Sequence, residues 1–185
     1  MDQQKNIEEL KGDMELALEF KEQGAKEYGT GKFSEAIELF RESLSNAPMQ
    51  DIDLRSKLNS NIGICFMNLK DYKEAINFFT DSLQENPLFH KAKVNRAKCY
   101  FLEENYERAM KDYEELNKTN PELVPQDMYK KAKVKHDEEF EKKKEEVMTN
   151  LKSFGNKILG NFGMSLDNFK LNPNGQGGYN VSYQN

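Results

Sequence analysis

The chain has 185 residues, of which 32% are charged and 37% hydrophobic, and its formal net charge is −5 at pH 7. This acidic balance argues against general nucleic-acid binding, which needs a broad basic surface. We expect a cytoplasmic protein without membrane insertion, because no apolar run approaches ~18 residues and the polar N-terminus lacks the apolar segment of a secretory signal.

Residues 1–14 are predicted to be an N-terminal extension, and helix pairs follow from residue 15. The three first helices of the pairs (A helices) are expected near 15–30, 54–69 and 89–103. The three second helices (B helices) are expected near 33–46, 72–85 and 106–118. Strand-like alternation is absent from the sequence before residue 165, so the domain is predicted to be all-α.

The pairs are recognised by an internal repeat. One copy contains small, aromatic and proline positions in the order Gly63, Tyr72, Ala75, Phe79 and Pro87. A shift of 34 residues gives Ala97, Tyr106, Ala109, Tyr113 and Pro121, and an earlier copy at a shift of 39 contains Gly24, Phe33, Ala36, Phe40 and Pro48. This pattern is typical of tetratricopeptide repeats and predicts a solenoid of three helix pairs over 15–121.

A long capping helix is predicted to follow over 122–153, since Pro125 can open a helix and nothing interrupts it up to about Lys152. Its apolar seam consists of Tyr129, Ala132, Phe140, Val147 and Leu151, with His136 and Lys144 interrupting it. The first half should cover the third repeat. The charged run from Glu138 to Glu146 is interpreted as a solvated helix face.

The tail, residues 154–185, is rich in glycine and asparagine. It is expected to be short and irregular. Apolar residues alternate with polar ones around Phe169 and again around Val181, with turn signals at 174–178 between them, so a small hairpin or an extended pair is possible. An isolated hairpin is marginal in water. We therefore expect residues 158–169 to dock, either on the capping helix near Phe140 and Val147 or on a partner protein.

The tail also carries a resemblance to a known family. The C-terminus of the tetratricopeptide repeat protein 1 family, in which repeats, long charged helix and tail occur in the same order, is similar to Gly155-Asn156, Leu159, Phe162-Gly163, Ser165, Asn168-Phe169 and the late Gly178-Tyr179 segment. The resemblance covers about residues 15–185. It implies a cytosolic adaptor that binds heat-shock chaperones and signalling GTPases.

The groove face is predicted from A-helix positions spaced by three and four. These positions are Lys21, Ala25, Tyr28, Lys57, Asn61, Ile64, Lys91, Asn95 and Lys98. Lysine and asparagine supply the donors that hold a peptide's terminal carboxylate and acidic side chains. The candidate peptide-binding residues are therefore Lys21, Asn61, Lys91, Asn95, Lys57 and Lys98.

The resemblance to chaperone-binding relatives implies a clamp of five donors for two carboxylates. Lys21, Asn61 and Lys91 match that pattern, whereas Ala25 replaces an Asn and Asn95 replaces an Arg. The neighbouring Arg96 should point about 100° away around the helix.

Catalytic and metal sites are not indicated by the sequence. Cys65 and Cys99 are interpreted as small core residues, and His90 and His136 have no ligand or catalytic partner at suitable spacing. We expect no enzyme activity and no cofactor. Two hypotheses stay open: a cochaperone that captures the acidic C-terminal peptide of a heat-shock chaperone, or a scaffold for a folded partner such as a small GTPase.

Overall fold

The computed structural model describes residues 2–173 and 179–183, and within them the side chains of residues 2–13, 171, 173, 179 and 183 lie outside the description. The helices are α1 (Asp2–Gly29), α2 (Phe33–Asn46), α3 (Ile52–Asn68), α4 (Tyr72–Glu85), α5 (His90–Leu102), α6 (Tyr106–Thr119) and α7 (Gln126–Gly160). Two strands, β1 (Phe169–Pro173) and β2 (Tyr179–Tyr183), follow. The chain divides into two compact units, Met1–His136 and Asp137–Asn185.

The predicted tetratricopeptide-repeat architecture is confirmed, with α1/α2, α3/α4 and α5/α6 as the helix pairs. α1 is longer than expected and includes residues 2–14, because a single glycine at position 12 costs only about 1 kcal/mol inside a helix and does not end it. None of the described helices is long and apolar enough to cross a bilayer.

Within each pair, the A and B helices meet where a small residue faces a buried ring. A Cβ added to Gly24 would lie 2.9 Å from the Phe40 ring, and one added to Gly63 would lie 2.9 Å from the Phe79 ring. In the third pair Ala97 packs in one fully buried cluster with Tyr113. The small residues are therefore required by the close approach of the helices.

Two further features recur at equivalent positions. The Ser43 hydroxyl donates to the carbonyl of Ala17 at 2.5 Å, and the Ser82 hydroxyl donates to the carbonyl of Ser56 at 2.7 Å, so a buried hydrogen bond joins B to A in the first two pairs. In each pair the turn from the A to the B helix also contains one residue in the left-handed backbone region. These residues are Gly31 (φ 80°), Lys70 (φ 63°) and Glu104 (φ 56°).

The start of α7 caps the third repeat, as predicted. Ala132 is fully buried, and the rings of Tyr129 and Tyr113 lie 6.1 Å apart between their centroids. Val124, in the turn before α7, is buried in the same cluster. These residues close the apolar end that a stack of repeats otherwise leaves open.

In the second unit, α7 ends at Gly160 and the chain reverses. The amide of Met164 donates to the carbonyl of Leu159 at 3.0 Å, and Gly163 has the left-handed φ of 68° that this helix ending requires. The Asn156 side-chain oxygen accepts from the Leu166 amide at 2.6 Å and from the Ser165 hydroxyl at 3.1 Å. The reversal is thus specified by hydrogen bonds and a glycine.

Beyond this reversal the tail is not irregular as expected, because the hairpin that its alternating residues allowed is present. β1 and β2 pair antiparallel, with Phe169 opposite Tyr183 and Leu171 opposite Val181. The turn signals at 174–178 lie outside the described residues.

The helix end differs from the expectation in this region. The helix passes the expected end near Lys152, because Gly155 does not break it but makes room for Leu166, with which any Cβ there would collide. The tail packs on the helix, where Leu166 and Phe169 share a groove with Met148, Leu151 and Lys152. This groove begins one residue after Val147, and Phe140 does not line it. Docking of the tail on a partner protein stays a prediction.

The repeat register predicts the effect of a larger side chain at the A–B crossing. Ala109 is fully buried, so Ala109→Leu should overpack the core and lower the free energy of unfolding by roughly 1–3 kcal/mol. Thermal or denaturant unfolding measures the change. Unchanged stability would show that the assigned crossing is wrong.

The reversal after α7 predicts a second, local effect. Asn156→Ala removes both side-chain hydrogen bonds and should cost the turn about 1–2 kcal/mol. Amide hydrogen exchange at Leu166 should accelerate, whereas Asn161→Ala, an exposed neighbour, should leave it unchanged. Equal protection in the two variants would contradict the role of Asn156.

Candidate functional site

The predicted groove residues lie on the three A helices of the first unit. α1 carries Lys21, Ala25 and Tyr28, α3 carries Lys57, Asn61 and Ile64, and α5 carries Lys91, Asn95 and Lys98. Lys57, Lys91 and Lys98 are exposed, and Lys21, Asn61 and Asn95 are half-buried. All six candidate donors are therefore within reach of solvent, as a peptide-binding face requires.

The structure brings two of these helices together at a small pocket. Ala25, Tyr28, Phe40, Asn61 and Ile64 line a cavity of about 100 Å³. Phe40 is only 2% exposed and belongs to α2, so its ring forms the floor between α1 and α3. A pocket of this volume is large enough for a small group such as a short aliphatic side chain.

The polar groups at this pocket are few. Asn61 contributes its amide, and the Tyr28 hydroxyl accepts from the Asn68 amide at 3.3 Å. Ala25 stands where the clamp pattern has an Asn, so the pocket wall at that point is apolar. The arrangement suits an aliphatic side chain beside a group that bonds to Asn61.

The groove lysines differ from a neighbouring lysine in having no ion-pair partner among the described residues. Among the described residues, the side chains of Lys21, Lys57, Lys91 and Lys98 make no hydrogen bond or ion pair. In contrast, Lys93 on α5 binds Glu115 at 3.0 Å. Since the groove lysines have no acidic partner there, their charges are open to an anionic ligand.

Arg96 does not supply the missing clamp donor. Its guanidinium binds both carboxylate oxygens of Asp112, at 2.8 and 2.7 Å, and donates to the Thr80 hydroxyl at 3.3 Å. Asp112 is only 4% exposed. Arg96 therefore fixes α5 against α6 and α4, in agreement with its predicted direction away from the groove.

The cysteines and histidines form no chemical site in the described structure. Cys65 and Cys99 are buried free thiols, and burial raises the pKa of Cys65 to about 11 and that of Cys99 to about 12. No group of three or more His, Cys, Asp or Glu side chains that could hold a metal ion occurs among the described residues. Both thiols act as core residues.

Sequence reasoning missed the pocket itself. The repeat pattern assigned Phe40 to helix packing, which is correct, but did not show that one face of the ring reaches the groove. The bond between Tyr28 and Asn68 joins residues 40 positions apart at the ends of two helices. No sequence spacing marks such a pair.

Comparisons with known proteins agree with the helix-pair fold. Residues 66–133 match the family model described as tetratricopeptide repeat. The DnaJ homolog subfamily C member 7 homolog of Dictyostelium discoideum is 34% identical over 128 residues, which are 68% of this chain and 24% of that protein. The chain thus spans about a quarter of the length of this protein and of its human counterpart.

A second relative is known both by sequence and by structure. The Hsp70/Hsp90 co-chaperone CNS1 of Saccharomyces cerevisiae is 30% identical over 104 residues, covering 56% of this chain and 23% of that protein. Its solved structure has a TM-score of 0.63 at 25% identity, covering 85% of this chain and 51% of that one. The first TPR of Spaghetti (RPAP3), bound to an HSP90 peptide, shares the fold with a TM-score of 0.59 at 24% identity, over 65% of this chain and 93% of that one.

Proposed function

We propose that this chain is a non-enzymatic adaptor of the cochaperone type, whose groove face binds the acidic C-terminal peptide of a heat-shock chaperone. The observation that carries the proposal is that four groove-face lysines of an acidic protein, Lys21, Lys57, Lys91 and Lys98, make no ion pair with any residue that the structure describes. The likeness to CNS1, which is named a Hsp70/Hsp90 co-chaperone, supports it.

The donors have distinct proposed roles. Lys21 and Asn61 hold the peptide's terminal carboxylate, and Lys91 holds an acidic side chain near the terminus. Asn95, Lys57 and Lys98 add hydrogen bonds and positive charge along the groove. Because ammonium–carboxylate contacts at exposed positions are screened by ions, binding should weaken as salt rises.

The pocket adds a requirement to this ligand. An aliphatic side chain of the peptide fits the apolar cavity beside Ala25 and Ile64, while the neighbouring backbone can bond to the Asn61 amide. The preferred ligand is therefore an acidic peptide with at least one small aliphatic residue near its C-terminus.

We also propose membership of the tetratricopeptide repeat protein 1 family and a cytosolic location. The tail supports family membership, because the residues that carry the resemblance form one local structure. The Leu166 side chain packs against Gly155, and Asn156 and Gly163 stabilise the chain reversal after α7. Two buried free thiols are compatible with the reducing cytosol.

Charge reversal in the groove tests the proposal. Lys91→Glu replaces attraction by repulsion and should abolish binding of an acidic, chaperone-type peptide in a calorimetric titration. Lys73→Glu, an equal charge change at an exposed site on α4, is the matched control and should bind like the wild type. Equal affinity of all three proteins would reject the groove as a carboxylate site and favour a scaffold for a folded partner such as a small GTPase.

Restoring the five-donor clamp pattern should strengthen peptide binding. Ala25→Asn with Asn95→Arg supplies the two donors that the chain lacks and should tighten binding of an Asp-terminated peptide by about 1–3 kcal/mol, because hydrogen bonds to charged groups are the stronger ones.

The control for this double variant is Asn77→Arg on α4, which adds the same positive charge outside the groove. An unchanged affinity of the double variant, or an equal gain in the control, would show that the terminal carboxylate does not lie at these positions.

A further inference from the structure

A cavity of about 390 Å³ lies beside the C-terminal ends of α2 and α4, and the N-terminal half of α3 completes its wall. Its lining residues are Leu44, Arg55, Asn59, Asp81, Gln84 and Glu85. Asn59 precedes the groove residue Asn61 by two positions, which places the two side chains about 160° apart around α3. The cavity is therefore on the opposite side of α3 from the groove, and its volume lies in the range of ~300–1,000 Å³ that small-ligand pockets have.

The Asn59 side chain in this cavity is buried without a partner. It is only 4% exposed, and within the described part of the chain its amide group makes no hydrogen bond. A buried amide normally has a hydrogen-bond partner, because an unpaired one has lost its water and gained nothing in return. Since Asn59 lines the cavity, a bound ligand can supply the missing partner.

Arg55, the cation of the cavity wall, already has its partners. Its Nε donates to Glu85 at 2.9 Å, and one of its terminal nitrogens is 3.4 Å from the carbonyl oxygens of Leu44 and Ala47. The charge of Arg55 is thus neutralised by Glu85. The second carboxylate of the lining belongs to Asp81, and it gives the cavity an excess of negative charge.

Asp81 lies one helical turn before Glu85 on the same face of α4. It is exposed, and its carboxylate makes no ion pair with any residue that the structure describes. The nearby Arg41 does not neutralise it, because the Arg41 guanidinium lies over the Phe78 ring, 5.2 Å from the centroid. Neighbouring protein atoms displace part of the water around the carboxylate and raise the pKa of Asp81, and the charge of Glu85 raises it further. A cation bound beside Asp81 would offset both effects.

The two helix ends beside the cavity also favour a cation. The C-terminal end of an α-helix carries a partial negative charge, which a basic side chain in the last turn usually offsets. Neither α2 nor α4 has a basic residue in its last turn. The partial charges of both helix ends therefore add to the charge of Asp81.

We propose that this cavity binds the guanidinium group of an arginine side chain from a partner protein. Asp81 forms the ion pair, the Asn59 side-chain oxygen accepts a second hydrogen bond, and Leu44 contacts the aliphatic stem. A guanidinium has five N–H donors in a planar fork and can bond to a carboxylate and an amide oxygen at once, whereas an ammonium is a compact point charge. Because the cavity and the groove lie on opposite sides of α3, an arginine-bearing partner and an acidic peptide can bind together.

Nuclear magnetic resonance titration of the isotope-labelled full chain with N-acetylarginine amide tests the proposal. The side-chain amide signal of Asn59 and the backbone amides of Asp81 and Gln84 should shift and reach saturation. The corresponding citrulline amide, which has nearly the same shape and no charge, should cause no saturable shift, and the lysine amide should bind more weakly than the arginine compound. A response to citrulline or lysine amide equal to that of the arginine compound would overturn the proposal, as would the absence of saturable shifts.

Charge removal at the exposed Asp81 separates this site from other acidic surfaces. Asp81→Asn should weaken binding of N-acetylarginine amide about tenfold, because an ion-paired hydrogen bond is lost. Glu35→Gln, an equal charge change at an exposed site in the first turn of α2, is the matched control and should bind like the wild type. Lys91→Glu should also keep arginine binding, since the groove is not involved. Equal affinity of Asp81→Asn and the wild type would reject Asp81 as the ion-pair partner.

Replacement of Asn59 provides a readout that a purely structural role would not give. Asn59→Leu removes the amide and should weaken arginine binding, yet the melting temperature should not fall, because the lost group has no partner within the described part of the chain. Full arginine affinity in Asn59→Leu would overturn the assignment of Asn59 to the ligand.

Discussion

The close approach of the A and B helices is the constraint on which the rest of the first unit depends. Gly24 and Gly63 have no side chain because the rings of Phe40 and Phe79 occupy that space. The approach fixes how closely the two helices of each of these pairs pack. It also positions the Phe40 ring as the floor of the pocket between α1 and α3. Core packing and ligand recognition therefore share the same contacts.

The repeats were predictable because their determinants are local and periodic. Small residues, helix-starting aromatics and prolines each mark a position that recurs with the repeat, and α2 and α4 begin and end where they were expected. The end of α7 was not predictable in the same way. Gly155 is a helix breaker by local preference, and only its contact with Leu166 explains why the helix continues past it.

The candidate site was also predictable only in part. The sequence placed the donor residues on the A helices by spacing alone, and it correctly directed Arg96 away from the groove. It interpreted Ala25 only as a missing donor, whereas the structure shows that this position is part of an apolar pocket. The pocket is formed by residues of three helices, so no single sequence segment reveals it.

The central claim is that the groove recognises a free terminal carboxylate, and blocking that carboxylate tests it most directly. Calorimetric titration would compare an acidic, chaperone-type peptide with the same peptide amidated at its C-terminus. Since hydrogen bonds to a charged group contribute about 1.5–3 kcal/mol, amidation should weaken binding about tenfold or more. Equal affinities for the free and the amidated peptide would contradict the account.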